Sequence, residues 1–147
     1  MNEIKISEDK KDRIMKASME NFAKNGYRKT TMDEIISDAE ISKGLIFHYY
    51  GNKKKLYLHL YEFAYGLVYN HVTKNFGATS TDLFERIFVT EQSKLEVMNK
   101  YPYVLDLLVS TRKENDPMIK DEIEKVKFNF PDWTQDFLSG IDEYKFR

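Results

Sequence analysis

Residues 31–55, TMDEIISDAEISKGLIFHYYGNKKK, hold the side chains of this chain whose types and spacing suit recognition of a polyanion. If Ser42 caps a helix over residues 43–50, steps of about 100° put Ile46, Tyr49 and Tyr50 on one side and Lys43, Gly44, Phe47 and His48 on the other, with Leu45 between. The first set makes a natural core face. The second is then exposed and offers a cation, a residue without a side chain, an aromatic ring and an imidazole. Glycine inside a helix is unfavourable by roughly 1 kcal/mol relative to alanine, and close approach to a base edge or phosphate is one reason to keep it. Helix starts at Thr31, Ser42 and Asn52 would each present unpaired N–H groups and a positive dipole end to an anion. Lys53 opposes the dipole of the helix it opens, a conflict that a bound phosphate would remove.

These groups need two short helices to position them. Thr31 and Glu34 have the T-x-x-E form of a capping box, in which each side chain satisfies the other's backbone donor. Behind them Met32, Ile35, Ile36 and Ala39 fall at i, i+3, i+4 and i+7, giving one apolar face. A second start follows at Ser42 and a stop at Gly51. Helix, short turn, helix is the unit that sets a recognition helix in a DNA major groove. A capped pair alone is equally at home in an ordinary bundle; the combination of S-K-G, the aromatic cluster and G-N-K is what favours a nucleic-acid role. Of the three consecutive lysines only Lys53 has a position that argues for DNA, since a charge run is usually a solvated face.

The remaining chain supplies the frame. Residues 8–25 read as a first helix with early acids, apolar Ile14, Met15, Ala17, Met19, Phe22 and Ala23, and Gly26 as its stop, followed by a short connection. Asn52 is a plausible N-cap for a fourth helix over about residues 53–76, with Leu56, Leu60, Ala64, Leu67 and His71 near one face and Gly66 tolerated at modest cost. Some twenty helical residues span about 30 Å, enough to bridge two modules. After a turn at 77–80, residues 81–99 resume a helical pattern with Leu83, Phe84, Ile87, Phe88, Leu95, Val97 and Met98. Pro102 and Pro117 each suit the first turn of a further helix, and Pro131 opens or kinks a last segment containing Trp133, Phe137, Leu138 and Ile141. With no convincing period-2 strand, internal repeat or low-complexity tract, the chain reads as all-α.

Composition bounds the function. A chain of 147 residues with 41% hydrophobic and 32% charged residues has an ordinary globular makeup and is the size of one domain, or of a small module fused to a second helical layer. No apolar run approaches the roughly 18 residues of a membrane span, and the polar N-terminus is no signal peptide, so a cytoplasmic protein without membrane contact is expected. The absence of cysteine removes disulfides and thiolate chemistry. The net charge of −1 conceals an asymmetry: residues 1–60 carry 12 Lys and Arg against 9 Asp and Glu, while the remainder carries 11 against 15. Residues 42–61 contain four lysines and no carboxylate, and it is this local sign that a phosphate backbone feels.

The segments IMKASMENFAKNG (14–26) and TTMDEIISDAEISKGLIFHYYGNKKKLYLHL (30–60) resemble the N-terminal DNA-binding region of the tetracycline-repressor (TetR/AcrR) family of bacterial transcription regulators. The resemblance covers about residues 10–60 in both spacing and residue type; the remainder shares the family's all-helical character. It implies a three-helix DNA-binding domain over residues 1–52 and a helical ligand-binding and dimerisation domain over 53–147, joined by the long fourth helix. By the same resemblance Thr31 and Lys53 contact phosphates, Lys43 and Gly44 approach bases, and Phe47 with His48 holds the backbone; Ser42, at the start of the recognition helix, and Leu45 complete the expected DNA-binding set. Two positions depart from the family pattern. Phe47 is commonly tyrosine, whose hydroxyl contact is lost here, and Leu45 is often small or polar and can instead touch a thymine methyl.

The family further implies a homodimer addressing half-sites about one helical turn apart. A small apolar or aromatic ligand in the C-terminal domain would shift the two heads out of register and release a palindromic operator. Family members usually continue for several tens of residues with two dimerisation helices, and GIDEYKFR resembles the loop before them, so those helices are expected to be missing from this chain. The expectation is therefore a ligand-responsive DNA-binding regulator, a repressor, with no cofactor. The competing classes are an enzyme and a helical protein-interaction module that has lost specific DNA binding. Against an enzyme stand the lack of cysteine, of paired histidines and of a serine–histidine–carboxylate order. His59 and His71, twelve residues apart, make a poor metal pair. The departures at Phe47 and Leu45 are compatible with the interaction module. Fifteen of the 21 aromatic residues follow residue 60; most suit a core, and the rest would give any cavity there an apolar, planar-friendly wall.

Overall fold

Ser7, Thr31, Ser42 and Asn52 each begin a helix by accepting a backbone N–H on the side-chain oxygen, at 2.8 to 3.3 Å. In the computed structural model, which describes residues 6–74 and 82–131, these caps start α1 (Glu8–Lys29), α2 (Met32–Ala39), α3 (Lys43–Tyr50) and α4 (Lys53–Thr73). Three more helices follow: α5 (Leu83–Lys100), α6 (Val104–Thr111) and α7 (Pro117–Phe128). Among the described residues every regular element is helical, so the fold is all-α as the sequence implied.

Gly26 breaks α1 with φ 78° and ψ 171°, a region that glycine enters without steric cost. The chain then makes one more turn through Lys29 where the sequence suggested a plain connection. Thr30 Oγ1 spans the break, 2.7 Å from the Gly26 carbonyl oxygen and 3.0 Å from that of Asn21. The buried side chains of Ile14, Met15, Met19 and Phe22 face Ile35 and Ala39 of α2, Ile46 of α3, and Leu56, Tyr57 and Leu60 of α4 in one continuous core. Tyr57, 1% exposed, stands edge-on to Phe22 at 4.9 Å between ring centroids and meets Tyr27 at 5.0 Å.

α4 has 21 residues, a length of about 31 Å at 1.5 Å per residue, and belongs to both halves of the molecule. Its buried face is wider than the sequence suggested. Tyr57, Tyr61 and Val72 are buried, while Leu67 and His71 are only half-buried. The reason is that α1, α5, α6 and α7 all pack on this helix, so no single stripe describes it. Gly66 also has a specific packing role, since a Cβ there would meet the Phe130 ring at 3.2 Å.

The sharpest departure concerns α5. Its pattern of large apolar residues invites burial of Phe84, Ile87, Phe88 and Leu95, yet Phe84 is 70% exposed and Phe88 63%, and the other two are exposed as well. The inward stripe is Arg86, Thr90, Ser93 and Val97, at i, i+4, i+7 and i+11. Burying the hydroxyls costs little because each is satisfied within its own helix: Thr90 Oγ1 donates to the Arg86 carbonyl at 2.7 Å and Ser93 Oγ to that of Val89 at 2.8 Å. Two prolines also divide. Pro117 occupies the first turn of α7 as expected, whereas Pro102 lies in the turn before α6 rather than in its first turn. The turn expected at 77–80, the last segment with Trp133, Phe137, Leu138 and Ile141, and the GIDEYKFR motif lie outside the described residues.

Candidate nucleic-acid interface

α2 and α3 meet through a tight turn in which Glu40 adopts the left-handed conformation, φ 54°. Its carbonyl and that of Ala39 both accept from Arg13 Nη1 at 3.2 Å, which ties the turn to α1. Asn21 adds a second tie, donating to the Asp38 carboxylate at 2.9 Å. The helix pair is thus fixed to a third helix by polar contacts as well as by the core.

Ile46, wholly buried, anchors α3. Lys43, Gly44 and His48 are exposed, as the 100° steps imply, but the flanks are arranged differently from the sequence reading. Phe47 and Leu45 are half-buried and pack against the core, while Tyr49, assigned inward, is half-buried and leans on His48 with ring centroids 5.3 Å apart. An eight-residue helix held between α2 and α4 buries both shoulders of its anchor, which is why one clean dividing line fails. Phe47 therefore contributes an edge and not a free ring.

Gly44 has nothing within 4 Å of where a Cβ would stand, and its φ is not in the left-handed range. Nothing among the described residues requires glycine there. Thr31 and Ser42 accept from the N–H groups of Glu34 and Leu45, both at 3.2 Å, so their own hydroxyl protons remain for an outside acceptor. Only the threonine half of the capping box is formed among the described residues. The three helix starts also differ electrostatically. The first turn of α2 carries Asp33 and Glu34, which already complement its dipole, whereas the first turns of α3 and α4 carry no acid. Those two N-termini are the better anion sites.

Lys43 is exposed, 3.9 Å from Asp33 and 5.9 Å from the centre of the Phe47 ring. Lys53 is engaged inward: its ammonium donates to the carbonyls of Thr30 at 3.2 Å and Arg28 at 3.3 Å and lies 4.6 Å from the centre of the Tyr27 ring. The conflict with the α4 dipole is thus met by the chain's own carbonyls. Beside it the exposed Arg28 and Lys29 close α1, and with Lys53 they line one shallow depression. Sequence reasoning passed over both; the signal was their position directly before the Thr30–Thr31 pair.

In the second half of the molecule a cavity of about 320 Å³ lies between α4, α5, α6 and α7. Tyr61, Tyr65 and Tyr69, four residues apart on α4, make one wall, and Leu105 and Leu108 of α6 are on another. The sequence showed the aromatic richness but not which rings face the space. His71 Nε2 lies 2.6 Å from Glu96 Oε2, a pairing between α4 and α5 that sequence distance concealed. Among the described residues no helix is long and apolar enough to cross a membrane.

Residues 14–60 match the family model described as bacterial regulatory proteins, tetR family. The helix-turn-helix module belongs to the TetR family. The TetR-type segment is 40% identical over 62 residues to the uncharacterized HTH-type transcriptional regulator YerO of Bacillus subtilis, covering 42% of this chain and 22% of that protein. It is also 40% identical over 50 residues to the HTH-type transcriptional regulator QacR of Staphylococcus aureus, covering 34% of this chain and 27% of that one. The matched stretches thus span less than a third of either relative. The likeness in fold extends further. A TetR-like transcriptional regulator from Rhodococcus sp. RHA1 superposes with a TM-score of 0.67 at 20% identity, over 97% of this chain and 76% of that one. The fatty acid degradation regulator FadR from Bacillus halodurans gives 0.64 at 18% identity, over 79% and 62%. The likeness in fold therefore includes the helices that follow the head.

Proposed function

We propose that this protein is a DNA-binding transcriptional regulator that acts in the cytoplasm, not an enzyme, with residues 1–52 as its DNA-binding domain and residues 53–147 as its regulatory domain. α3 enters the major groove with Lys43 and Gly44 toward base edges and Leu45 toward a thymine methyl. Thr31, Ser42 and the start of α4 meet phosphates, with His48 and the edge of Phe47 against the backbone. Two copies of the protein read a palindromic operator, and a small ligand in the cavity between α4 and α7 shifts the heads toward a non-binding spacing, so that the regulator is a repressor.

The observation that carries this reading is Gly44. A helical glycine with open space around it lowers the stability of the free protein, and a partner surface pressed against α3 accounts for its presence. The test is selection from random duplex DNA at low salt. Enrichment of a palindromic sequence supports the regulator. The inward engagement of Lys53 favours a second reading, a helical interaction module without specific DNA binding, and failure to enrich any sequence would select it.

A further inference from the structure

The cavity carries a charge pattern that bears on its ligand. Besides the tyrosine wall and the aliphatic side chains, three cations reach its lining from three different helices or their ends: Lys94 on α5, Arg112 after α6 and Lys127 on α7. No Asp or Glu is among the described residues that line it. Lys94 and Lys127 have carboxylate neighbours, Glu91 at 2.8 Å and Glu124 at 3.5 Å, but both acids are three residues away on the same helix and more than half exposed. Such surface pairs contribute little and exchange readily for a better acceptor. Arg112 makes no ion pair among the described residues; burial, and after it Tyr65 and Glu124, push the Tyr61 phenol upward, and the Arg112 guanidinium acts on it in the opposite sense.

We infer that the ligand is an anionic amphiphile: one carboxylate held by Arg112 and the two lysines, and a small apolar body, flat enough to lie against Tyr65 and Tyr69, in the space bounded by Leu105 and Leu108. This rests on the reading of the cavity as the regulatory site and adds the chemical class of its occupant. The apolar body supplies burial in a volume at the lower end of the range for small-molecule sites. The carboxylate supplies direction, because charge-assisted hydrogen bonds to a guanidinium are shorter and stronger than neutral ones. A cationic ligand would meet Arg112 and two lysines whose carboxylate partners stand outside the lining.

Calorimetric titration of the intact chain with matched ligands tests this. Each of three bodies, naphthyl, phenylpropyl and octyl, is offered as carboxylate, primary amide and ammonium. The best carboxylate should bind at least about tenfold more tightly than its amide, and the ammonium more weakly than either. Arg112→Gln and Lys94→Gln should shrink the acid–amide ratio below threefold by weakening the carboxylate far more than the amide, with circular dichroism confirming that each variant is folded. Leu108→Trp should fill the space and abolish all binding. Equal affinities, or a preference for the ammonium, would overturn the anionic assignment while leaving the cavity a ligand site. Absence of binding by every compound, with Leu108→Trp indistinguishable from wild type, would overturn both the assignment and the regulatory reading beneath it.

Discussion

The ammonium of Lys53 lies 3.2 Å from the carbonyl oxygen of Thr30. With the Arg28 carbonyl and the Tyr27 ring it closes the end of α1 onto the start of α4, directly beside the proposed DNA surface. The residue thus has a structural task before any phosphate arrives. Charged hydrogen bonds contribute more than neutral ones, and partial exposure reduces the effect here, so Lys53→Met should lower stability by about 1 kcal/mol in DNA-free urea melts. A melt superposable on wild type would show that the ammonium is dispensable to the fold and available solely to a ligand.

Gly44 should give the opposite sign. With open space at its Cβ position, Gly44→Ala restores helix propensity and is expected to raise stability by up to about 1 kcal/mol while weakening DNA binding. Thermal unfolding and fluorescence anisotropy on the same preparations measure both effects. A variant that gains stability and binds DNA unchanged would remove the close-approach role of this position.

Glu40 marks the turn between α2 and α3. A left-handed conformation costs a non-glycine residue about 1 kcal/mol or more, part of which glycine returns through the freedom it adds to the unfolded chain. Glu40→Gly should therefore stabilise the protein by roughly 0.5 kcal/mol, provided the backbone contact from Arg13 is kept. Loss of stability in urea denaturation would show that the glutamate side chain contributes something the turn geometry does not reveal.

Burial, above all, pushes the phenols of Tyr57, Tyr61 and Tyr101 upward; at Tyr101 the hydrogen bond to Asp12 at 2.8 Å adds to it. A raised value in the folded state means that the unfolded chain loses its phenolic protons first. The stabilisation is complete below the ordinary tyrosine value near 10 and is lost progressively as pH rises beyond it. Alkaline titration should show tyrosinate absorbance and loss of helical circular dichroism appearing together above about pH 10. Ionisation of all tyrosines ahead of any loss of helix would contradict the burial of these three rings.

The head was the most legible part of the chain because its signals are local. Thr31, Ser42, Asn52, Gly26 and Gly51 mark boundaries by hydrogen bonding and backbone preference within a few residues, and the caps and breaks fall at those positions. Faces were less legible. Periodicity finds an apolar stripe but not which way it turns, and on α5 the self-satisfied hydroxyls of Thr90 and Ser93 took the interior in place of Phe84 and Phe88. Lys53 was only half legible for a related reason. Its position at a helix start was visible, but the carbonyls that meet it lie 23 and 25 residues away and could not be seen before folding.

If α3 reads base edges, Lys43 is the side chain whose loss should reveal it. Anisotropy titrations should compare wild type with Lys43→Ala on the duplex recovered by selection and on an unrelated duplex of equal length. The variant should bind the selected duplex about 10- to 100-fold more weakly, with the unrelated duplex changed far less. Equal losses on both duplexes, or none on either, would contradict base reading by α3.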